Sequence, residues 1–370
     1  MQLVAYGTQD IYLTGNPQIT FFKVVYRRHT NFAMESIPQN IEGEFNFGRD
    51  CSCTIARNGD LVHKMYVEID FEAGKELPIG INSFQIINEV ELEIGGQLID
   101  RHYGEWMNIW CELTHTDNKK SQLNKLIGGG TFTKRYIPLQ FSFCRNVGLA
   151  IPLIALQYHE VKLHFRLANA SALNTGYSIK NPVISSACLY VDYIYLDADE
   201  RRRFAQNSHE FLIEQVQSIV DNDISPNCLN RYRLNLNHPV KEIVWVHNKE
   251  TNGNKFDYSE ATTQAILRLN GHDRLDRRPG DYFKNVQRYQ HHNGSEYYDG
   301  SFKNNVPIYL YSFALEPEEH QPSGACNFSR IDEALLEINA SNETGVTNIY
   351  AVNYNVLKVM SGMGGLAYSN

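Results

Sequence analysis

The chain has 370 residues, of which 42% are hydrophobic and 21% charged, with a net charge of −8. That length exceeds the usual size of a single core and predicts two domains, and so apolar a composition excludes disorder. The acidic balance argues against nucleic-acid binding as the main activity, because neutralising phosphates needs a basic surface.

Taken in chain order, the opening ten residues show neither a basic start nor an apolar run, so no signal peptide is expected. No stretch of about 18 apolar residues follows anywhere, and no membrane span is expected. Residues 1–30 lack periodicity and read as an arm, with Lys23, Arg27 and Arg28 as a basic spot. In 64–71, Met65, Val67, Ile69 and Phe71 alternate with polar residues, and in 89–94 Val90, Leu92 and Ile94 oppose three glutamates. Such period-2 patterns predict half-buried strands. Gly104–Leu113 carries Glu105, Trp106, Ile109, Trp110 and Leu113 at helical spacing. Its aromatic stripe is suited to burial between subunits or, more commonly, in the chain's own core. A third alternating run, 159–166, places His159 on its apolar side as a core residue. Asp199–Gln206 reads as a short charged helix, with Asp199 spaced to pair with Arg203. Gly362–Gly365 reads as a flexible tail unless a neighbour holds it.

Laid side by side, the two halves repeat one another. Gly96, Asp100-Arg101 and Gly104-Glu105-Trp106 match Gly271, Asp276-Arg277 and Gly280-Asp281-Tyr282, allowing one insertion. A helix counterpart is therefore expected around 281–289. Phe141-Ser142-Phe143 matches Tyr311-Ser312-Phe313, and the closing run Val191–Leu196 matches Val352–Leu357. Many strands with few helices point to sandwiches rather than a parallel sheet. The expected fold is all-β: two tandem eight-stranded jelly-roll β-sandwiches, a double jelly roll with a few short helices. Its divisions are an arm over 1–30, a first jelly roll over 31–200, a connector over 201–208 and a second jelly roll over 209–370.

Chemistry is sparse. The 13 histidines include no H-x-H pair, H-E-x-x-H is absent, and His291-His292 would face opposite ways on a strand. No nucleophile elbow, P-loop or dinucleotide motif occurs. An acid that recurs at the same topological point, as Glu105 and Asp281 do, suggests a structural turn. No catalytic residue, cofactor or metal site is expected, and the chain is not read as an enzyme. Seven cysteines, Cys51, Cys53, Cys111, Cys144, Cys188, Cys228 and Cys326, are odd in number and form no C-x-x-C, which suits free, mostly buried thiols in a reducing cytosol. Of five N-x-S/T sequons, Asn293 in a turn-like His-Asn-Gly-Ser is the best placed for a glycan. A carbohydrate-binding or host-attachment role is the alternative reading, with Tyr297 and Tyr298 as its sugar platform.

The segments Gln2–Phe22, Tyr26–Phe32, Val90–Gln97, Ile151–Val161, Gln321–Asp332 and Tyr354–Tyr368 resemble the major capsid proteins of nucleocytoplasmic large DNA viruses, those of algal viruses in particular. The resemblance covers both halves. It implies a homotrimeric capsomer of near-hexagonal outline that tiles an icosahedral shell with neighbouring capsomers and minor capsid proteins. It also implies an arm on the capsomer's inner side, where Lys23, Arg27 and Arg28 would meet neighbours or the layer facing an inner membrane. Direct genome binding is not expected. The chain departs from the family in its short loops between Val240–Asn248 and Ala265–Leu269 and over 290–307, which implies a lower outer surface and leaves a minor capsid paralogue as a further alternative.

Overall fold

The computed structural model describes residues 7–77, 81–128, 134–173, 182–249, 256–294 and 306–369. After a short helix α1 (Ile11–Thr14), the first half contains β1 (Phe32–Gln39), β2 (Asp50–Thr54), β3 (Leu61–Phe71), β4 (Ile87–Ile94), β5 (Gln97–Tyr103), β6 (Lys134–Pro138), β7 (Ile151–Pro152), β8 (Val161–Leu167) and β9 (Ile184–Leu196). They form two facing sheets, β1-β9-β3-β6 with β7 added to β3, and β2-β8-β4-β5. Helices α2 (Gly104–Thr114), α3 (Asp117–Ile127) and α4 (Ser142–Arg145) fill the chain around β6. Helix α5 (Ala198–Gln206) then leads into the second half.

That half contains β10 (His209–Ile224), β11 (Leu229–Arg233), β12 (Pro239–Asn248), β13 (Thr262–Leu269), β14 (His272–Asp273), β15 (Arg278–Pro279), β16 (Tyr309–Ser312), β17 (Cys326–Asn327), β18 (Ala334–Ala340), β19 (Gly345–Met360) and β20 (Met363–Leu366). Its sheets run β10-β19-β12-β16 and β11-β18-β13-β14, with β15, β17 and β20 attached at their margins. The strand order repeats that of the first half. Nearest the chain's ends in each unit, the first and last long strands lie side by side, Phe32 opposite Leu196 and His209 opposite Val359. A double jelly roll results, with all pairings antiparallel.

The repeated glycines have defined jobs. Gly95-Gly96 joins β4 to β5 with φ of 59° and 84°, and Asn270-Gly271 joins β13 to β14 with φ of 51° and 76°. Two successive positive φ values make the hairpin turn whose twist suits antiparallel strands.

The alternation places side chains as expected: Val90, Leu92 and Ile94 enter the first core while the intervening glutamates face out. The second core packs Trp245, Phe283 and Tyr309 between its own sheets. Four local expectations change. His159 lies before β8 rather than within it, is half-buried, and its Nδ1 faces the backbone of Gly364. Asp199 does not pair with Arg203; Arg201 instead binds Asp60 at 3.0 Å, because α5 begins at Asp197 as its N-cap and turns Arg201 toward β3. Helix α3 was hidden by its polar composition, since only Lys120, Leu123 and Ile127 are buried. The glycine-rich tail forms strand β20 on β19, and the first jelly roll holds it: Leu366 N donates to Gln97 Oε1 at 3.1 Å and Tyr158 N to Gly362 O at 2.9 Å.

Candidate functional site: the junction between the jelly rolls

The junction starts at Gly104. A Cβ there would lie 2.1 Å from Phe84 O and 2.3 Å from Ile87 O, so only glycine lets α2 begin this close to the preceding chain. From that start, Trp106, Ile109, Trp110 and Leu113 project onto the outer face of the second jelly roll's β10-β19-β12 sheet. They pack with Val216, Val244, Val246, Tyr350 and Val352 in one apolar cluster. The Trp106 and Tyr350 rings sit 5.5 Å apart. The aromatic stripe is thus spent within the chain, welding one domain to the other.

Polar groups fix the register of that weld. Glu105 is buried and accepts hydrogen bonds from Asn248 Nδ2, Asn348 Nδ2 and Tyr350 Oη, each at 2.6 Å. All three donors belong to the second jelly roll. Asp100 Oδ1 accepts from Val216 N at 3.0 Å, and Gln215 Nε2 donates to Ile99 O. Arg145 of α4 reaches Glu214 at 2.9 Å, and Lys241 reaches the same carboxylate at 2.7 Å. Burial opposes charge on Glu214, but Arg145 and Lys241 outweigh it and hold the carboxyl below its ordinary pKa. Arg145 also lies over the Trp110 ring, 4.2 Å from its centroid.

Beside these groups a cleft of about 630 Å³ opens, lined by Lys64, Tyr66, Trp110, His115, Arg145 and Glu214 among others. Burial, with Lys119 and Lys120 nearby, pushes His115 down to about 4, so the ring is neutral and unsuited to hold a proton near pH 7. Burial pushes up the thiols of Cys51, Cys53, Cys111, Cys144, Cys188 and Cys326, and all seven cysteines are free. A raised thiol is a poor nucleophile. Among the described residues no group of three or more His, Cys, Asp or Glu side chains is placed to hold a metal. The arrangement joins surfaces; its chemistry is packing, hydrogen bonding and ion pairing.

The repeated counterpart of α2 starts at Gly280, where a Cβ would lie 2.1 Å from Thr262 O, the same tight entry. A π-helical turn (Tyr282–Val286) runs into α6 (Gln287–His291). Unlike Glu105, the matching Asp281 is exposed, as are Asn285, Val286 and Tyr289. The histidine pair at the end of α6 parts: His291 Nδ1 lies 3.0 Å from Leu315 O, while His292 is buried between Glu242 and Glu318, 2.9 Å from each.

Lys23, Arg27 and Arg28 stand exposed in the arm beside equally exposed apolar residues, Phe21 and Phe22 among them. Asn293 is exposed, and its Nδ2 donates to Glu318 Oε2 at 2.8 Å. Tyr297 and Tyr298 lie outside the described residues. Sequence reasoning singled out Asp100, Glu105 and Trp106 through their recurrence, but missed Arg145, Glu214 and Lys241, which no motif connects.

Comparison with known proteins places these features. Residues 20–197 match the family model described as major capsid protein N-terminus, and residues 200–365 match large eukaryotic DNA virus major capsid protein. The major capsid protein of Pyramimonas orientalis virus is 50% identical over an alignment of 400 positions that covers 100% of this chain and 99% of that protein. In a quasi-atomic model of the PBCV-1 virus capsid, a chain 38% identical superposes with a TM-score of 0.83, covering 95% of this chain and 100% of its own. The Faustovirus major capsid protein, 11% identical, shares the fold with a TM-score of 0.74 over 96% of this chain. Two matched models that span both jelly rolls, together with a relative half identical from end to end, establish that the chain belongs to the major capsid proteins of large eukaryotic DNA viruses.

Proposed function

We propose that this chain builds an icosahedral shell as a homotrimer, each trimer a capsomer of near-hexagonal outline. The observation that carries the reading is the junction itself. Two units of one strand order are joined through an extensive buried junction, so three chains present six similar wedges around an axis. Duplication is then useful, because a threefold object acquires a sixfold outline and can tile a hexagonal lattice. The work done is assembly rather than catalysis: large apolar contacts inside the trimer and weaker polar contacts between trimers. Neighbouring capsomers and minor capsid proteins are the partners, and the virion is the destination of a protein made in the host cytosol. The arm, with Lys23, Arg27 and Arg28, serves the inner side of the capsomer, toward those partners or an inner-membrane layer. Its exposed apolar residues support that role, since a long apolar run calls for cover in the assembled state. With a net charge of −8, the chain is not suited to direct genome binding.

Light scattering after size exclusion tests the trimer. The expected mass is three times the 42.5 kDa of one chain, maintained on dilution. A folded monomer at every concentration would overturn the reading.

A further inference from the structure

We infer that the outer face of the β11-β18-β13-β14 sheet carries a binding site for a doubly charged tetrahedral oxyanion, a phosphate or sulfate group, held by Arg231, Arg233 and Arg268. The inference is independent of the trimer reading, because a single chain supplies every residue it uses.

The site is built on one carboxylate. Tyr232 of β11 and Leu336 of β18 enter the second core, so Arg231 and Glu337 beside them take the opposite face by the two-residue period of a strand. There Arg231 Nε lies 2.9 Å from Glu337 Oε1, Arg268 Nη1 3.1 Å from the same oxygen and Arg277 Nη2 3.3 Å from Oε2. Arg268 Nε also binds Asp273 at 2.7 Å. The Glu337 side chain stands on an outer face yet is only 2% exposed, so the arginines lie over it and are held by it. Register puts Arg233 opposite Leu335, and Leu335 opposite Arg268. Arg233 and Arg268 therefore stand about 10 Å apart across half-buried Leu335, with Arg231 one step along β11 on the same face.

Four guanidiniums thus face two carboxylates, a local surplus of positive charge on a chain whose net charge is −8. Asp276 and Glu333, exposed in the bordering loops, make no ion pair with these arginines among the described residues. A guanidinium has five N–H donors, and the carboxylates take one from Arg231, one from Arg277 and two from Arg268. The first jelly roll shows the same face without a surplus. Its recurrent Asp-Arg sends Arg101 to Glu91 at 2.6 Å, while Arg166 pairs with Glu89 at 2.8 Å and His164 with Glu93 at 3.0 Å. Acid and base alternate there one to one. In the second jelly roll the matching Arg277 arrives at a carboxylate that two other arginines already hold. A face that needed only solubility would balance as the first does. The four strands carry no lysine. Planar guanidinium forks match oxyanion oxygens two at a time, whereas lysine presents a point charge. Three forks approaching from different strands suit a tetrahedral group better than a flat carboxylate. Because Glu337 and Asp273 already fix two of them, little side-chain freedom remains to be lost on binding.

Equilibrium dialysis of the full chain against inorganic phosphate tests the site, at about pH 7.5, where phosphate is mainly dianionic. Sodium chloride holds the ionic strength constant. Saturable binding of one ion per chain is expected, with a Kd of about 1 mM or below, and sulfate should compete. Arg231→Gln and Arg233→Gln should each weaken binding about 10-fold while melting like wild type. Arg233→Lys should weaken it too, by less, since it keeps the charge and loses the fork. Arg49→Gln removes an exposed charge from the first jelly roll and should bind like wild type. Should Arg231→Gln misfold, Arg233→Gln decides alone, because Arg233 makes no ion pair among the described residues. Glucose 6-phosphate binding as phosphate does would support the site and extend it to esterified groups; its exclusion beside phosphate binding would support a site for the free ion. A wild type that takes up no phosphate, or takes it up without saturation, would overturn the inference. So would an Arg233→Gln chain that binds no more weakly than Arg49→Gln.

Discussion

His292 shows how much one side chain can contribute when its charge is fully enclosed. Its ring has no solvent exposure and contacts Glu242 through Nε2 and Glu318 through Nδ1, each at 2.9 Å. Burial disfavours the charged ring, but the two carboxylates outweigh it and hold the pKa up at about 9. Glu318 also accepts from the backbone and side chain of Asn293, so the ring ties β12, the end of α6 and the loop after β16 together. An unfolded histidine titrates near 6.5. The folded value is higher, so the stabilisation is complete below about pH 6.5, declines above it, and is gone once pH has risen through about 9. His292→Gln leaves two buried carboxylates without their cation, and should cost about 3–5 kcal/mol at pH 6. Melting curves of wild type and variant from pH 6 to 10 should converge on the alkaline side. Parallel curves across that range would show that His292 is not charged in the fold. The sequence displayed this residue only as half of a His-His pair. Its role depends on where α6 stops and on two glutamates distant in the chain, which no local pattern reveals.

At the scale of elements, the repeated glycines decide how closely a helix can begin against its neighbouring strand. Gly104 and Gly280 are legible in the sequence because they recur, and their shared constraint is steric: a Cβ would meet a backbone carbonyl at 2.1 Å in both. Gly104→Ala should therefore displace α2 and cost about 1–3 kcal/mol or more through overpacking. Because α2 carries the junction, that variant should also separate domain melting into two calorimetric transitions. Gly280→Ala should cost a similar amount while leaving the junction within the chain intact, so its melting should stay single. Equal behaviour of the two variants would contradict the difference between a helix whose stripe forms the junction cluster and one whose stripe does not. The strands were legible for a related reason: alternation such as Val90, Leu92 and Ile94 against three glutamates needs only one buried face. Helix α3 escaped because its buried face, Lys120, Leu123 and Ile127, holds only two apolar residues in a polar segment, and β20 because glycines signal freedom to a sequence reader. In β20 the missing side chain is a packing device, since a Cβ on Gly364 would fall 2.6 Å from Leu156 Cδ2.

For the whole molecule, the arm is where surface and architecture disagree most. Tyr12, Leu13, Phe21, Phe22 and Tyr26 are each at least 84% exposed, whereas most described aromatic residues of the two jelly rolls are buried or half-buried, Phe32, Tyr158, Tyr289 and Tyr368 excepted. None of these arm residues belongs to the cores or the junction cluster. The arm therefore adds little to the stability of one chain, and its apolar surface gains only when another surface covers it. Basic Lys23, Arg27 and Arg28 are interleaved with that surface on a chain that is acidic overall, which suits an acidic or anionic neighbour. The double jelly roll and the family could be read from the sequence, but the arm's isolation could not, because exposure depends on what the rest of the chain fails to cover. Deleting residues 1–25 should leave the melting temperature within about 2 °C of wild type, since few folded contacts are lost. The same deletion should leave the trimer intact by light scattering, because the arm takes no part in the cores or the junction of the jelly rolls. Shell formation should fail or slow, as seen by electron microscopy of particles assembled with the partner capsid proteins. Normal shells from the deleted chain would sink the assignment of the arm to assembly, and a large drop in melting temperature would place its apolar residues in the fold instead.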